Sequence, residues 1–283
     1  MLSLQFGAAI ATHLFGRVGA AGASALRLGF AAGLLWVWAR PDVRTWSADR
    51  RRSVVLLGFA LAAMNTAFYE AVSRLPLGVA ITIEFLGPLG LAVALTRRWR
   101  DLAFVGLALG GVVLLAVGQH GSGQHGLGGG RLDPVGVAAA LVAALFWAAY
   151  IVSGSRLATT EPGLGSLAGA CAVAAVLVVP FGVATSGTAL LDVRVLGLGL
   201  AMAVLASVVP YSFELRALER LERRTFSILV ALEPAIGALV GLVLLRQRLG
   251  AWSFAGVALV VAAGVGATAT APPGQQPLLP ESA

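Results

Sequence analysis

Residues 76–96 read PLGVAITIEFLGPLGLAVALT, an apolar stretch with one acidic side chain near its middle, Glu84. A helix needs about 20 mostly apolar residues to cross the hydrocarbon core of a bilayer. Proline inside such a helix removes a backbone donor, which a membrane tolerates only beside a cavity or a partner helix. The stretch therefore predicts a transmembrane helix that is kinked near Pro88 and lines a cavity.

The rest of the chain has the same composition. Of its 283 residues, 58% are hydrophobic and only 12% are charged, and the mean hydropathy is +0.89. Ordinary soluble domains are about 25% charged. The net charge of +7 comes from 20 arginines scattered in short clusters between apolar stretches, whereas a nucleic-acid-binding protein gathers its basic residues on one face. We therefore expect a multi-pass protein of the lipid bilayer with no nucleic-acid partner.

Ten stretches are candidate transmembrane spans, and the connections between them are short. The first is too short, since its 14 residues reach about 21 Å across a core of about 30 Å. Either this span is a half-helix or the true start lies upstream of Met1, and we favour the second interpretation. The ten candidates are 2–15, 18–39, 53–73, 76–96, 102–118, 134–154, 164–184, 195–216, 225–245 and 250–270.

Arginine placement predicts the orientation. With the N-terminus inside, the cytoplasmic loops carry thirteen arginines and the outer loops six. Because cytoplasmic loops are enriched in basic residues, we expect both termini in the cytoplasm.

The chain also repeats itself. Residues 69–93 resemble residues 215–239 at an offset of 146, which aligns Pro88 with Pro234. Five spans in each half would make the second copy inverted, a design of secondary transporters; chance similarity between Ala/Gly/Leu-rich helices is the alternative. The predicted fold is an all-α membrane protein of ten transmembrane helices in two inverted five-helix repeats. Its parts would be the first repeat (1–118), a Gly-rich linker (119–133), the second repeat (134–270) and a disordered tail (271–283).

Three charged residues lie deep inside predicted spans: Arg27, Glu84 and Glu233. A charge near the midplane costs about 2.5–3.5 kcal/mol on insertion scales, so these side chains should face the protein interior. The glutamates could carry a coupling proton. Alternatively, Arg27 could be their counter-charge in a structural ion pair that fixes helix packing.

Polar and aromatic residues in the spans suggest the walls of a binding site. Asn65 and Tyr69 are four residues apart and share a helix face. The others are Trp147, Tyr150, Tyr211 and Glu214. Such walls suit a small zwitterion or amphiphile, although packing at the membrane interface explains many buried Trp and Tyr residues.

Two further sequence patterns do not indicate a binding or catalytic site. His120 and His125 lie in the Gly-rich linker without a cysteine or carboxylate cluster, so we predict no metal and no cofactor. The steps Gly106–Gly110 and Gly237–Gly241 are GxxxG pairs that predict close helix packing.

The chain resembles the EamA branch of the drug/metabolite transporter superfamily. Within it, GAAIA, GASALRL, MNTAFYEAVSRLPLGVA, FWAAYIVSG and PYSFELRALERL are similar to the threonine/homoserine exporter subfamily of bacterial inner membranes; Glu70 departs from it, where an apolar residue is expected. The resemblance implies the ten-helix inverted repeat, a central substrate cavity and export coupled to the proton gradient. It implies site roles for Arg27, Asn65, Tyr69, Glu84, Trp147, Tyr150, Tyr211, Glu214 and Glu233.

The predicted function is therefore export of small amino acids of the threonine/homoserine kind, or of related metabolites, across the bacterial plasma membrane. Proton antiport with alternating access is the expected mechanism. The alternative is a multidrug or other small-metabolite permease of the same fold. An enzyme is not expected, because the spans contain no HExxH and no Ser/His pair. The implied partners are a small-molecule substrate, protons and lipid, with no obligate protein partner.

Overall fold

The computed structural model describes residues 2–96, 102–118, 132–160, 164–210, 231–247 and 250–270. Helices dominate these ranges, and no strand occurs within them. Among them, α1, α2, α6, α7 and α10 are long and apolar enough to cross a membrane. The helices are α1 (Leu2–Ala39), α2 (Ala48–Arg74), α3 (Leu77–Glu84), α4 (Leu86–Thr96), α5 (Leu102–Gly118), α6 (Pro134–Thr160), α7 (Leu164–Ser186), α8 (Val193–Ala203), α9 (Glu233–Val243) and α10 (Ala251–Thr270).

The first two predicted spans form one helical run, α1, with a break at Gly19. Its backbone (φ 65°, ψ 179°) is a conformation that only glycine adopts easily. A non-helical residue leaves nearby carbonyls without their helical donors, and Ser186 Oγ donates to one of them, the Val18 carbonyl, at 2.7 Å. The loop expected between these spans is thus a single-residue break.

The stretch 76–96 is divided at Phe85 into α3 and α4. Pro88 lacks the N–H that an α-helix would direct at the carbonyl of Glu84, four residues earlier. The interruption therefore lies one turn before the proline, and it leaves Glu84 as the last residue of α3.

α3 and α9 pack closely in antiparallel directions. A Cβ atom on Gly78 would lie 2.6 Å from Ala238 Cα, and one on Gly237 would lie 2.4 Å from Ile81 Cδ1. Moving toward the end of α3 therefore means moving toward the start of α9. This register brings Glu84 and Glu233 to the same end of the helix pair.

The two GxxxG pairs, Gly106–Gly110 and Gly237–Gly241, differ in how closely they pack against other helices. Gly237 lies in the α3–α9 contact, whereas Cβ atoms on Gly106 and Gly110 would meet nothing within 4 Å in the part of the chain that the structure describes. Among the described helices, the close packing expected at Gly106–Gly110 is therefore not found. In α5 the close approach occurs at Gly111, where a Cβ would lie 2.7 Å from the carbonyl oxygen of Gly256 in α10.

One end of the molecule carries ion pairs between segments distant in sequence. Arg17 and Asp192 approach to 3.8 Å, and Arg74 contacts both Glu70 at 2.6 Å and Asp133 at 3.3 Å. The backbone N–H of Val135 donates to Asp133, and together with Arg74 it lowers the pKa of this carboxyl below its ordinary value. We call this the acidic end, defined by Glu70, Asp133 and Asp192.

The opposite end is built around Trp46. The Arg50 guanidinium lies 4.8 Å from the centroid of the Trp46 ring, and its Nη2 donates to Ser166 Oγ at 2.9 Å. Trp46 packs against Gly169 of α7. These contacts hold the connection between α1 and α2 onto the beginning of α7, and we call this the tryptophan end.

Candidate functional site

Arg27 joins three segments in the protein interior. It is buried in α1; its Nη2 donates to the carbonyl of Ala206 at 3.0 Å, and its Nη1 donates to the hydroxyl of Tyr69 at 3.5 Å. The guanidinium carbon also lies 5.6 Å from the centroid of the Tyr69 ring, within the range of a cation–π contact. Neutral groups of α2 and of the segment after α8 thus share in stabilising this buried cation.

The Ala206 carbonyl belongs to a π-helical turn, Val204–Val208. The backbone N–H of Val209 reaches back five residues to the Val204 carbonyl. The following residue, Pro210, has no N–H to direct at Ala206 four residues earlier. The local sequence therefore withholds the α-helical donor from the carbonyl that Arg27 contacts.

Tyr69 is fixed by aromatic neighbours. Its side chain is fully buried; the Phe15 ring meets it edge-on at 5.9 Å, and the Phe68 ring lies at the same distance. A ring held on two sides presents its hydroxyl and its face to Arg27 in one orientation.

Glu84 and Glu233 lie close together, at the end of α3 and at the beginning of α9. Both are buried, and Glu84 is within electrostatic range of both Glu233 and Arg27. No ion pair or hydrogen bond joins Arg27 directly to Glu84 in the described part of the chain. We call Arg27, Tyr69, Glu84, Glu233 and the Ala206 carbonyl the charged cluster.

The other predicted site residues that the structure describes have different surroundings. Trp147 meets Phe85, the neighbour of Glu84, edge-on at 6.3 Å. Tyr150 packs instead against the hydrophobic cluster formed by α1, α2 and α7. Asn65 is buried, but its Nδ2 donates to the Leu61 carbonyl of its own helix at 2.8 Å. Tyr211 and Glu214 lie outside the described residues.

Other polar groups near these helices were not predicted. Ser24, buried in α1, shares a hydrogen bond of 3.4 Å with Thr66 of α2. Gln5 is buried in α1, and its Oε1 accepts no hydrogen bond from the part of the chain that the structure describes. Small polar residues in apolar helices are common, so sequence alone gave no reason to single these out. Across the described ranges, no group of three or more His, Cys, Asp or Glu side chains is placed to hold a metal ion.

Comparison with known proteins places this site in a family. Residues 134–268 match the model of the EamA-like transporter family. Over 271 residues, the chain is 38% identical to Threonine/homoserine exporter RhtA of Escherichia coli (strain K12) and, equally, to that of Salmonella typhimurium (strain LT2). Each alignment covers 95% of this chain and 89% of the relative.

The chain belongs to the EamA-like transporter family. Membership makes it a membrane transporter, in agreement with its long apolar helices. A solved crystal structure also matches this EamA-like chain with a TM-score of 0.55 at 20% identity, over 95% of this chain and 92% of the other. That likeness shows a shared fold.

Proposed function

We propose that this EamA-like protein exports small amino acids of the threonine/homoserine kind across the plasma membrane in exchange for protons. Similarity to the RhtA exporters over 95% of the chain supports the substrate class. A zwitterionic substrate also fits the charged cluster chemically.

The observation that carries this proposal is the presence of both signs of charge in one buried cluster. An amino acid presents a carboxylate and an ammonium group a few ångströms apart. Arg27 is suited to a carboxylate, because a guanidinium offers a planar fork of N–H donors. Glu84 and Glu233 are suited to an ammonium group. A buried polar site of this kind discriminates strongly against molecules that lack one of the matching groups.

Two buried carboxyl groups also provide a place for protons. Like charges brought close together disfavour simultaneous ionisation. An ammonium group or a proton can relieve that repulsion, so binding one disfavours binding the other. Such competition, combined with a site that changes sides only when occupied, would couple export of the substrate to entry of protons.

Alternating access would follow from an inverted repeat with halves 1–118 and 134–270, joined by the linker 119–133. The break at Phe85 and the turn at Ala231 are 146 residues apart, which is the offset of the sequence repeat. Two helix contacts between the proposed halves fit the same symmetry: α2 of the first half packs on α6 of the second, and α1 packs on α8 and the π turn. Two such halves could rock about the charged cluster.

Transport into proteoliposomes tests the proposal. With radiolabelled L-threonine outside and no proton gradient, vesicles containing the purified protein should take up threonine down its concentration gradient. When the vesicle interior is made acidic, protons leaving the vesicle should drive further accumulation of threonine. Glu84→Gln and Glu233→Gln should remove the response to the proton gradient. Glu70→Gln is the matched control, because this exposed acid pairs with Arg74 at the acidic end.

A proton response that survives in both cluster variants would overturn the coupling role. Transport of a lipophilic cation such as ethidium, without transport of threonine, would favour a multidrug permease instead.

A further inference from the structure

We propose that Pro210 positions Arg27 as the receptor for the substrate carboxylate, by leaving the Ala206 carbonyl available as a fixed acceptor for the guanidinium. This inference rests on the proposed amino-acid transport. It assigns a role to a residue that is not part of the charged cluster.

The first observation concerns the backbone hydrogen bonds around Pro210. In an α-helix the N–H of residue 210 would be directed at the carbonyl of residue 206. Proline has no N–H, and the π turn already directs the Val209 N–H at Val204. Arg27 Nη2 donates to the Ala206 carbonyl at 3.0 Å.

This bond fixes a side chain that would otherwise have many conformations. Arginine is long and flexible, and it gains specificity for a carboxylate only when its fork is held in place. The second contact, from Nη1 to the Tyr69 hydroxyl, is longer at 3.5 Å. The Ala206 carbonyl is therefore the shorter of these two contacts and the principal anchor between them.

The anchor also connects the two proposed halves. Arg27 lies in the first half, and Ala206 lies 179 residues later in the second. The orientation of the carboxylate receptor consequently depends on how the halves are placed. A rocking motion that moves the π turn would reorient the guanidinium and change affinity for the substrate.

Replacing the proline tests this role. Pro210→Ala supplies an N–H that competes with Arg27 for the Ala206 carbonyl, while alanine favours the helix. Pro210→Gly supplies the same donor with a more flexible backbone. Pro180→Ala is the matched control, because Pro180 also lies inside a helix, α7, but its side chain is exposed, unlike those of the charged cluster. Arg27→Gln removes the receptor itself.

The measurement is competition against radiolabelled L-threonine in proteoliposomes, by unlabelled L-threonine and by L-threoninamide, which lacks the carboxylate. The inhibition constant of L-threoninamide divided by that of L-threonine measures how strongly the site recognises the carboxylate. We expect this ratio to fall roughly three- to tenfold in both Pro210 variants, since a charge-assisted hydrogen bond that orients Arg27 is weakened. It should approach one in Arg27→Gln and stay within about twofold of the wild-type ratio in Pro180→Ala.

The possible results distinguish the role of Pro210, the role of Arg27 and the proposed function from one another. A merely structural effect of Pro210 would weaken threonine and threoninamide alike, and a wild-type ratio in either Pro210 variant would overturn the positioning role. A wild-type ratio in Arg27→Gln would overturn Arg27 as the carboxylate receptor. Absence of threonine transport by the wild-type protein would instead overturn the proposed function.

Discussion

A buried arginine is costly in a membrane protein unless nearby groups replace its hydration. Around Arg27, these groups include a backbone carbonyl and the hydroxyl and ring of Tyr69. These neutral acceptors replace part of the hydration that the cation loses on burial. Within the described residues no direct bond joins Arg27 to Glu84, whereas a tight pair between the two would compete with the substrate carboxylate that we propose.

Substitutions of Tyr69 should separate its hydroxyl from its ring. Tyr69→Phe loses only a long hydrogen bond, so we expect a cost of about 1 kcal/mol or less. Tyr69→Ala removes a fully buried ring that packs on Phe15, and comparable truncations cost about 3–5 kcal/mol. Thermal unfolding of the detergent-solubilised variants measures both. Equal losses of stability in the two variants would show that the hydroxyl, not the ring, dominates.

Individual residues of the charged cluster could be predicted from the sequence where the residue type is unusual for its surroundings. Arg27, Glu84 and Glu233 were conspicuous because charges are rare inside apolar spans. The role of Ala206 could not be predicted in the same way, since every residue has a carbonyl. The only signal for it was indirect, in Pro210, whose missing N–H identifies a carbonyl without its usual donor. For Asn65, the sequence could not show that its Nδ2 bonds to its own helix, and its place in the binding site stays a prediction.

At the level of helices, a proline in the sequence predicts the position of a helix break only approximately. Pro88 predicted a kink in 76–96, but the helix is interrupted at Phe85. The donor lost at a proline belongs to the carbonyl one turn earlier, and the packing of α3 on α9 determines how the chain adapts there. Packing partners so far apart in the chain are not readable from one sequence, which is also why the GxxxG interpretation holds at Gly237 but finds no partner at Gly106–Gly110 among the described residues.

The approach of α3 to α9 predicts a specific sensitivity at Gly78. An alanine there would place its Cβ 2.6 Å from backbone of α9, and overpacking of this kind costs about 1–3 kcal/mol. Gly90→Ala in α4 is the matched control, because its Cβ would meet nothing within 4 Å and alanine favours the helix by up to about 1 kcal/mol. Melting temperatures should therefore move in opposite directions. A Gly78→Ala protein as stable as Gly90→Ala would contradict the close packing of α3 and α9.

Helix starts at the acidic end should give the fold an acid-sensitive component. Backbone N–H groups of Val195 and Arg194 lower the pKa of Asp192, as Val135 does for Asp133. A carboxyl whose pKa is lower in the folded state stabilises the fold above its ordinary pKa of 3.8 and loses that contribution as the pH falls through the lowered folded value.

Asp133→Asn should keep the cap and lose the charge. We expect it to lower the melting temperature slightly at pH 7 and to have progressively less effect below pH ~4. Melting curves from pH 3 to 7 measure the difference. A difference that does not change with pH would mean that the carboxylate charge contributes nothing.

The whole molecule has two chemically distinct ends, and their contacts make each end a unit. At the acidic end, Arg17 pairs with Asp192 and Arg74 pairs with Asp133. The tryptophan end carries Arg40, Arg44, Arg51 and Arg52 on the exposed surface between and beside α1 and α2. Because cytoplasmic segments are enriched in arginine, the tryptophan end is the one we propose to face the cytoplasm.

Single cysteines at the two ends test this orientation directly. Thr188 is exposed in the short 3-10 helix that follows Ser186, at the acidic end, and Ala48 is exposed at the start of α2, at the tryptophan end. Cys171 is buried, and Cys171→Ala gives a background without a native thiol. In intact spheroplasts, an impermeant maleimide should label Thr188→Cys at once and Ala48→Cys only after lysis, because the charged reagent cannot cross the bilayer. The reverse pattern would place the tryptophan end outside. The arginine argument would then fail, whereas the packing of the helices and the charged cluster would stand, since neither depends on which end faces the cytoplasm.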